Sequence, residues 1–584
     1  MAASPTWSRA CPSTSTTGPA GRRAVALARR GSAASTGATL STSTRAGAGF
    51  DVVIVGGGHN GLVCAAYLAG AGLRVCVLER RHVVGGAAVT EAFHPGFRNS
   101  TASYTVSLLN PRIIRDLKLV EHGLTIVERP FSNFLPLPGD DHLRVGGGLE
   151  ATQAAFARFS ARDAERLPAY YAMLDGVADV LRDLLLATPP NLGGRGAASV
   201  GALLDVWKAS RRFRALDLAG QRDVLDLFTK SAGDVLDRWF EAAPVKAAFG
   251  FDAVVGNFAS PYTPGSAYVL LHHVFGEVNG KRGQWGHALG GMGAITQAMA
   301  TECTARGVAL RTDAEVAQVR VENGRAAGVV LASGEVIDAT RVVANVTPRL
   351  LFEQLVAPEH LGADFRARIA ATRYASGTFR MNVALAELPD FTAMPGRAAA
   401  PHHASGIIIA PSLSYMERAY FDARTQGWST APIVEMLIPS VVDPSLAPAG
   451  MHVASLFCQH ANPDLPAVRG MSWDDARAQV AELMIDTVDC VAPNFRASVL
   501  GYRALSPLDL EREFGLTRGD IFHGALSLDQ LFAARPVLGN ADYRAPVPGL
   551  YLCGAGTHPG GGVTGVPGHN AAREVLRDVR RRRH

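Results

Sequence analysis

Four consecutive apolar residues, Val52–Val55, run directly into glycine, the pattern of a strand buried on both faces of a parallel sheet. A helical pattern over 62–71 follows, broken at Gly72, and a second strand predicted over 74–78 ends on Glu79. Strand, helix and strand in about 30 residues make a βαβ unit. Further on, Leu167, Tyr170, Leu174, Val177, Leu181 and Leu184 recur at steps of three and four, which predicts an amphipathic helix over 163–186, stopped by Pro189 and Pro190. Helical patterns over 200–210 and 223–240 extend this into a helical region at 150–284, read either as a substrate cap or as a packing layer. Next come a helix and strands predicted over 309–311, 315–322, 326–331 and 336–338, with turns at Asn323-Gly324 and Ser333-Gly334. They read as a small antiparallel meander, closed by a strand over 341–344. Strands over 378–385, 407–409, 433–438 and 452–458, with a helix over 473–490, make 350–540 a second, sheet-based domain. A last strand, 550–553, enters a glycine loop and a helix starting near Gly565.

The first of these turns carries chemistry. Gly56, Gly58 and Gly61 form G-x-G-x-x-G between strand and helix, together with Val55, His59 and Asn60. Gly56 permits the tight turn, Gly58 admits a pyrophosphate close to the backbone, and Gly61 lets the helix pack on the sheet. The helix N-terminus offers unpaired N–H groups to the phosphates. Glu79, at the end of the second strand, is placed to accept hydrogen bonds from a ribose and to disfavour a 2′-phosphate. A second cluster, Gly290, Gly291 and Gly293, is rejected as a nucleotide site: no strand is predicted before it, Thr296 stands where the third glycine belongs, and no terminal acid follows.

Composition narrows the remaining classes. At 584 residues and 48% apolar, the chain supports several domains or subdomains, and no apolar run reaches the roughly 18–20 residues of a transmembrane helix. Peripheral membrane contact stays open. The first 50 residues hold six arginines and no acid; without them the formal net charge of +5 becomes −1, so the body gives no charge argument for nucleic acid. That Arg- and Ser-rich stretch reads as an organelle transit peptide over 1–49, mitochondrial (matrix) or, alternatively, plastid. Seven scattered cysteines with no C-x-x-C exclude a visible dithiol centre or zinc site. His272 and His273 are adjacent on a predicted helix and point apart, so no metal is expected there.

The strand–GxGxxG–helix–strand–Glu-Arg order, Gly85-Gly86, and the terminal strand–Gly-x-Gly–loop–helix resemble the flavoprotein group of phytoene desaturases, carotenoid isomerases and amine oxidases. The segments GHNGLVCAAYL, ERRHVVGGAAVTE, SPYTPGSAYVLLHH, WGHALGGMGA, GDIFHGALSLDQLFAARP and YLCGAGTHPGGGV are similar to an animal branch of that group, and the resemblance spans 51–578. It implies an α/β fold: a Rossmann-like FAD-binding domain built from discontinuous segments (50–149, 285–349 and 541–584), plus a mixed-sheet substrate domain with a helical insertion. It also implies non-covalent FAD, with Gly56, Gly58 and Gly61 at the pyrophosphate and Glu79 at the adenosine ribose. Arg80, Gly85 and Gly86 would line the route to the flavin, Val316 would contact adenine through its backbone, and Gly554, Gly556, Gly562, Gly565 and Val566 would face the isoalloxazine.

Two departures from the group matter. An arginine follows the Gly-Gly pair in amine oxidases and many desaturases; here it is Ala87. Amine oxidases place a lysine near the flavin, whereas none of the five lysines here falls in such a motif. His523 and His558 are the candidate proton carriers or flavin hydrogen-bond donors, against a purely structural role. The expectation is a mitochondrial FAD-dependent oxidoreductase that oxidises or desaturates an apolar small molecule. The alternative is a flavin-stabilised regulatory protein that binds a mitochondrial protein partner and turns over little.

Overall fold

The computed structural model describes residues 49–191, 210–374 and 376–581. The leader, apart from its last residue, and nearly all of the helical pattern at 200–210 lie outside the described residues. A five-stranded parallel sheet forms the base, in the order Ala309–Arg311, Val75–Leu78, Val52–Val55, Val342–Ala344, Leu550–Leu552. Its strands are short and wholly apolar at the centre because helices cover one face: His59–Gly70, Met292–Ala305 and Val566–Arg581 bury Val63, Ala66, Ile295, Met299, Ala572 and Val575 against Ile54 and Val77. On the other face lies the antiparallel meander Val316–Glu322, Arg325–Leu331, Val336–Asp338. The reading of the meander needs correction at both ends. Ala309–Arg311 and Val342–Ala344 are not part of it, since both pair in the parallel sheet; an apolar run identifies a strand without naming its partner.

The second sheet is mixed and seven-stranded: Val499–Leu505, Thr378–Leu385, His452–Ala461, Trp428–Leu437, Gly406–Ile409, Asn133–Pro136, His142–Val145. All neighbours are antiparallel except Gly406–Ile409 with Asn133–Pro136. Two of its strands therefore come from 133–145, which falls within the first FAD-binding segment expected from the sequence. The helical region packs on this sheet through Phe156, Tyr170, Phe240 and Phe249, with Tyr170 and Phe249 ring centroids 4.9 Å apart. Its long helix is Ala161–Leu185, capped where Ser160 Oγ accepts the Asp163 N–H at 3.1 Å. The pattern at 223–240 is two helices, Leu218–Thr229 and Ala232–Trp239, because Ser231 Oγ caps the second by accepting the Asp234 N–H at 3.0 Å.

All five parallel strands end at one edge, and their outgoing loops meet there: Gly56, Glu79, Asn345 and Cys553 follow four of them. The chain leaves the Val52–Val55 strand toward one neighbour and reaches the other only by residue 342. Such a switch point opens a crevice for a ligand.

Candidate functional site

A cavity of about 550 Å³ fills that crevice. Its walls include Val55, Gly56, Gly58, Glu79, Arg80 and Val316, with Asn345 beside the glycines, and also Leu516, His523 and Ala555. Glu79 is buried, and its carboxylate fastens the glycine loop: Oε2 accepts the Gly57 N–H at 2.8 Å and Oε1 the Arg81 N–H at 3.0 Å. Arg80 reaches across the cavity rim and donates to the Arg512 carbonyl at 2.8 Å. The His59–Gly70 helix opens at the cavity with Gly58 as its N-cap and no side chain satisfying its first N–H groups. They remain for an anion.

A second cavity of about 140 Å³ adjoins the first. His59, Ala87, Leu516, His523 and Ala555 belong to both walls, so these residues mark the junction. Beyond it the lining is chiefly apolar and aromatic: Val106, Leu108, Val255, Trp285, Phe457 and Phe522. The cavity lies among the parallel-sheet domain, the second sheet (Phe457) and the helical region (Val255, His273). Tyr104 forms part of its wall and donates its hydroxyl hydrogen bond to Glu435. Behind it sit Arg129, which donates to Thr105 Oγ1 at 2.6 Å, and Arg380, whose guanidinium carbon stands 4.6 Å from the Tyr104 ring centre. Burial pushes Asp252, in the field of Glu435, up to about 8. Burial also raises the Glu435 carboxyl, against the pull of Arg129.

The sequence-named residues divide by position. Val55, Gly56, Gly58, His59, Asn60, Glu79, Arg80, Gly86 and Val316 line the larger cavity, and Gly562 lines the smaller. Gly61, Gly85, Gly554, Gly556, Gly565 and Val566 stand behind the walls. A Cβ on Gly61 would meet the Gly56 carbonyl oxygen at 2.3 Å, and one on Gly556 would meet Pro348 Cδ at 2.3 Å, so close packing requires these glycines. Gly85 has a φ of +134° and packs against Val89 and Thr296; Gly554 faces Asn345, and Gly565 faces Ile113. Val566 is 1% exposed and opens the last helix.

His558 is a structural histidine: its Nε2–H donates to the Leu184 carbonyl at 2.9 Å, and its ring meets Phe532 edge-on. His523 sits at the junction, but burial, with Arg535 and His59 nearby, lowers it to about 3. Burial thus favours the neutral ring near pH 7. The glycine cluster at 290–293 is preceded by a short strand after all, Gly286–Ala288, yet this pairs antiparallel with Ile126–Glu128, away from the parallel sheet. Gly291 and Gly293 make room for Thr90.

Asn345 escapes the sequence reading. Its Nδ2 donates to the Gly56 carbonyl at 3.2 Å and packs against Gly58 and Gly61, so it locks the glycine loop. A polar residue directly after the buried strand Val342–Ala344 is the available signal. Arg535 escapes it as well. It is 2% exposed and donates to the carbonyls of Phe522, Gly524, Ala525, Gln530 and Ala555, which ties the 522–525 loop to the terminal glycine loop.

The profile of the family described as flavin containing amine oxidoreductase matches residues 61–380. The chain belongs to that family. It is 42% identical over 550 residues (91% of this chain, 94% of the relative) to the Rattus norvegicus pyridine nucleotide-disulfide oxidoreductase domain-containing protein 2. It is 25% identical over 549 residues (91% and 95%) to a subunit of the limonene dehydrogenase of Castellaniella defragrans. Among solved structures, cyclohexylamine oxidase of Brevibacterium oxydans shares the fold, with a TM-score of 0.55, 16% identity, and 91% of this chain and 100% of that chain covered. The chain is thus an FAD-dependent oxidoreductase, and the larger cavity fits the cofactor: uncapped helix N–H groups, a Gly58 with space for no side chain beside Asn345, and a buried carboxylate at the end of the neighbouring strand.

Proposed function

We propose that this amine oxidoreductase relative acts on a small apolar molecule and not on an amine, and that it works in the mitochondrion. The observation that carries the substrate class is the second cavity, whose walls are aromatic and aliphatic and which opens at the junction onto the FAD cavity. Among the described residues no lysine lines either cavity; Lys230, Lys246 and Lys281 pair instead with Asp226, Asp237 and Glu128. The relative named for limonene, a hydrocarbon, supports the same class.

In this reading Gly56, Gly58, Glu79 and Val316 hold the dinucleotide, and the reactive ring lies toward His59, His523 and Ala555. FAD supplies a two-electron acceptor that takes hydride from a C–H bond. The chain's residues bind, orient and dry the substrate: Phe457, Phe522 and Trp285 exclude water, while Thr105 and the Tyr104 hydroxyl are among the few polar groups at the wall, with Ser103, Ser107 and His273. The packing of Gly291 and Gly293 on Thr90 supports the reading that 290–293 is not a second nucleotide seat.

Anaerobic stopped-flow mixing of the oxidised holoprotein tests this reading. Limonene and related monoterpenes should bleach the flavin band, whereas NADH, NADPH and primary amines should leave it unchanged over seconds. Saturable bleaching by a nicotinamide or an amine overturns the proposal. The Arg-rich leader supports the location. A fluorescent fusion of the full chain should reach mitochondria, and one lacking 1–49 should stay in the cytosol; a truncated fusion that still arrives there contradicts it.

A further inference from the structure

Two imidazoles face the junction of the cavities, and both keep a ring nitrogen without a partner. His59 lies at the first position of the His59–Gly70 helix, and its Nε2 is buried with no hydrogen bond. Burial lowers the His59 imidazole to about 4, with the Gly562 backbone pulling weakly the other way. His523 arrives from the opposite side on the loop that Arg535 pins, and its Nδ1 is likewise buried and unpartnered. His523 also holds a φ of +57°, a left-handed conformation costly for a residue with a side chain. Strain of this kind persists where surrounding contacts enforce it and collects at functional sites. Two orphaned polar atoms in one wall each carry a desolvation cost that a bound group would remove.

We propose that His59 and His523 grip the reactive ring of bound FAD, and that His59 Nε2 takes up a proton from solvent when the ring is reduced. This goes beyond the substrate class, and rests only on the placement of the ring at the junction.

The balance is simple. Two electrons from a reductant and one proton from water add to the flavin and leave it singly anionic; a second proton from water forms the N–H bond at His59 Nε2, and the new imidazolium faces the new negative charge. In the oxidised protein burial keeps both rings neutral, with His59 at about 4 and His523 at about 3. The other charged or titratable groups facing the pair are Arg535, His272 and His273, then Tyr104 along the apolar cavity and Glu79, Arg80, Arg81, Glu315 and Glu513 along the other. Burial holds His273 at about 4 and lowers His272 as well, and Arg535 already makes its five carbonyl contacts. His59, which lines both cavities and keeps Nε2 without a partner, is the group left to accept the proton.

The test is the midpoint potential of the bound flavin, measured on holoprotein by equilibration with a reference dye between pH 6 and 8. Each proton taken up changes the equilibrium constant tenfold per pH unit, which is about 30 mV for a two-electron couple. The wild type should show twice that slope, the His59→Gln variant half the wild-type slope, and the absorbance of the reduced flavin should be that of the anion in both. His523→Gln should shift the oxidised flavin band. If the variants lose FAD, proton release or uptake on photoreduction of the wild type in weak buffer decides: two protons per flavin with an anionic spectrum supports the proposal, and one overturns it. An unchanged slope with a shifted band overturns the proton role while keeping the ring's placement. An unshifted band in His523→Gln overturns both.

Discussion

Gly61→Ala should yield protein without FAD, or no folded protein. The Cβ it adds would stand 2.3 Å from the Gly56 carbonyl oxygen and 2.9 Å from Asn345 Nδ2. The first contact is backbone and cannot rotate away, so the His59–Gly70 helix must lift from the sheet and carry its N–H groups out of register with the cavity. Overpacking of this severity costs about 3 kcal/mol or more, against a typical reserve of about 5–15 kcal/mol. Gly72→Ala is the matched control, because Gly72 has a φ of +85° but open space around it. It should lose about 1–2 kcal/mol and keep its flavin. The ratio of flavin to protein absorbance, with a thermal melt, checks both. A Gly61→Ala protein carrying stoichiometric FAD with an unchanged melt would remove the close-packing argument.

The second large effect is a stability maximum near pH 6.5. His273, His460 and His558 are buried, and burial lowers them to about 4, 3 and 4. Unfolded, each would take a proton near pH 6.5, so on the acid side the unfolded chain binds more protons than the folded one. Their stabilisation is complete above pH 6.5 and is lost as the pH falls toward 4, at about 1 kcal/mol for each group by pH 5.5. Asp252 works in the opposite direction. It stays protonated when folded up to about 8 but ionises near 4 when unfolded, so stability falls as pH rises between those values. Melting temperatures of the FAD-saturated protein from pH 5 to 8.5 should therefore rise and then fall. Asp252→Asn should flatten the alkaline limb and leave the acid limb. A melt independent of pH between 5 and 6.5 refutes the buried neutral histidines.

Most elements are legible in the sequence because their patterns are local. Thr378–Leu385 and Val336–Asp338 match the sequence reading residue for residue, and the βαβ unit is present with its helix starting three residues early, at His59. Partners are not legible. Asn133–Pro136 joins Gly406–Ile409 across some 270 residues, and no alternation of apolar positions encodes that choice. The break at Ser231 is readable, since Ser231-x-x-Asp234 is a helix-start signal, but the apolar period on either side hides it. The glycines are recognisable as a set, whereas only the folded chain separates Gly58, which leaves space for a ligand, from Gly61 and Gly556, which leave space for the protein itself. Arg535 lies in the segment GDIFHGALSLDQLFAARP, but nothing there marks its role: its partners are carbonyls, which every residue possesses.

The parallel sheet also dictates an order of events during synthesis. Val52–Val55 emerges from the ribosome early with Val75–Leu78, but its other neighbour, Val342–Ala344, and the strand beyond it, Leu550–Leu552, come from the middle and the end of the chain. At about 5–20 residues per second, the nascent βαβ unit waits with one apolar edge unpaired until Val342–Ala344 has been made, and that strand in turn waits for Leu550–Leu552. The last helix, Val566–Arg581, then closes over His59–Gly70 with Gly568 pressed on the Asn60 carbonyl. A chain cut short before Leu550 therefore leaves the first domain unsealed, a substrate for chaperones and proteases.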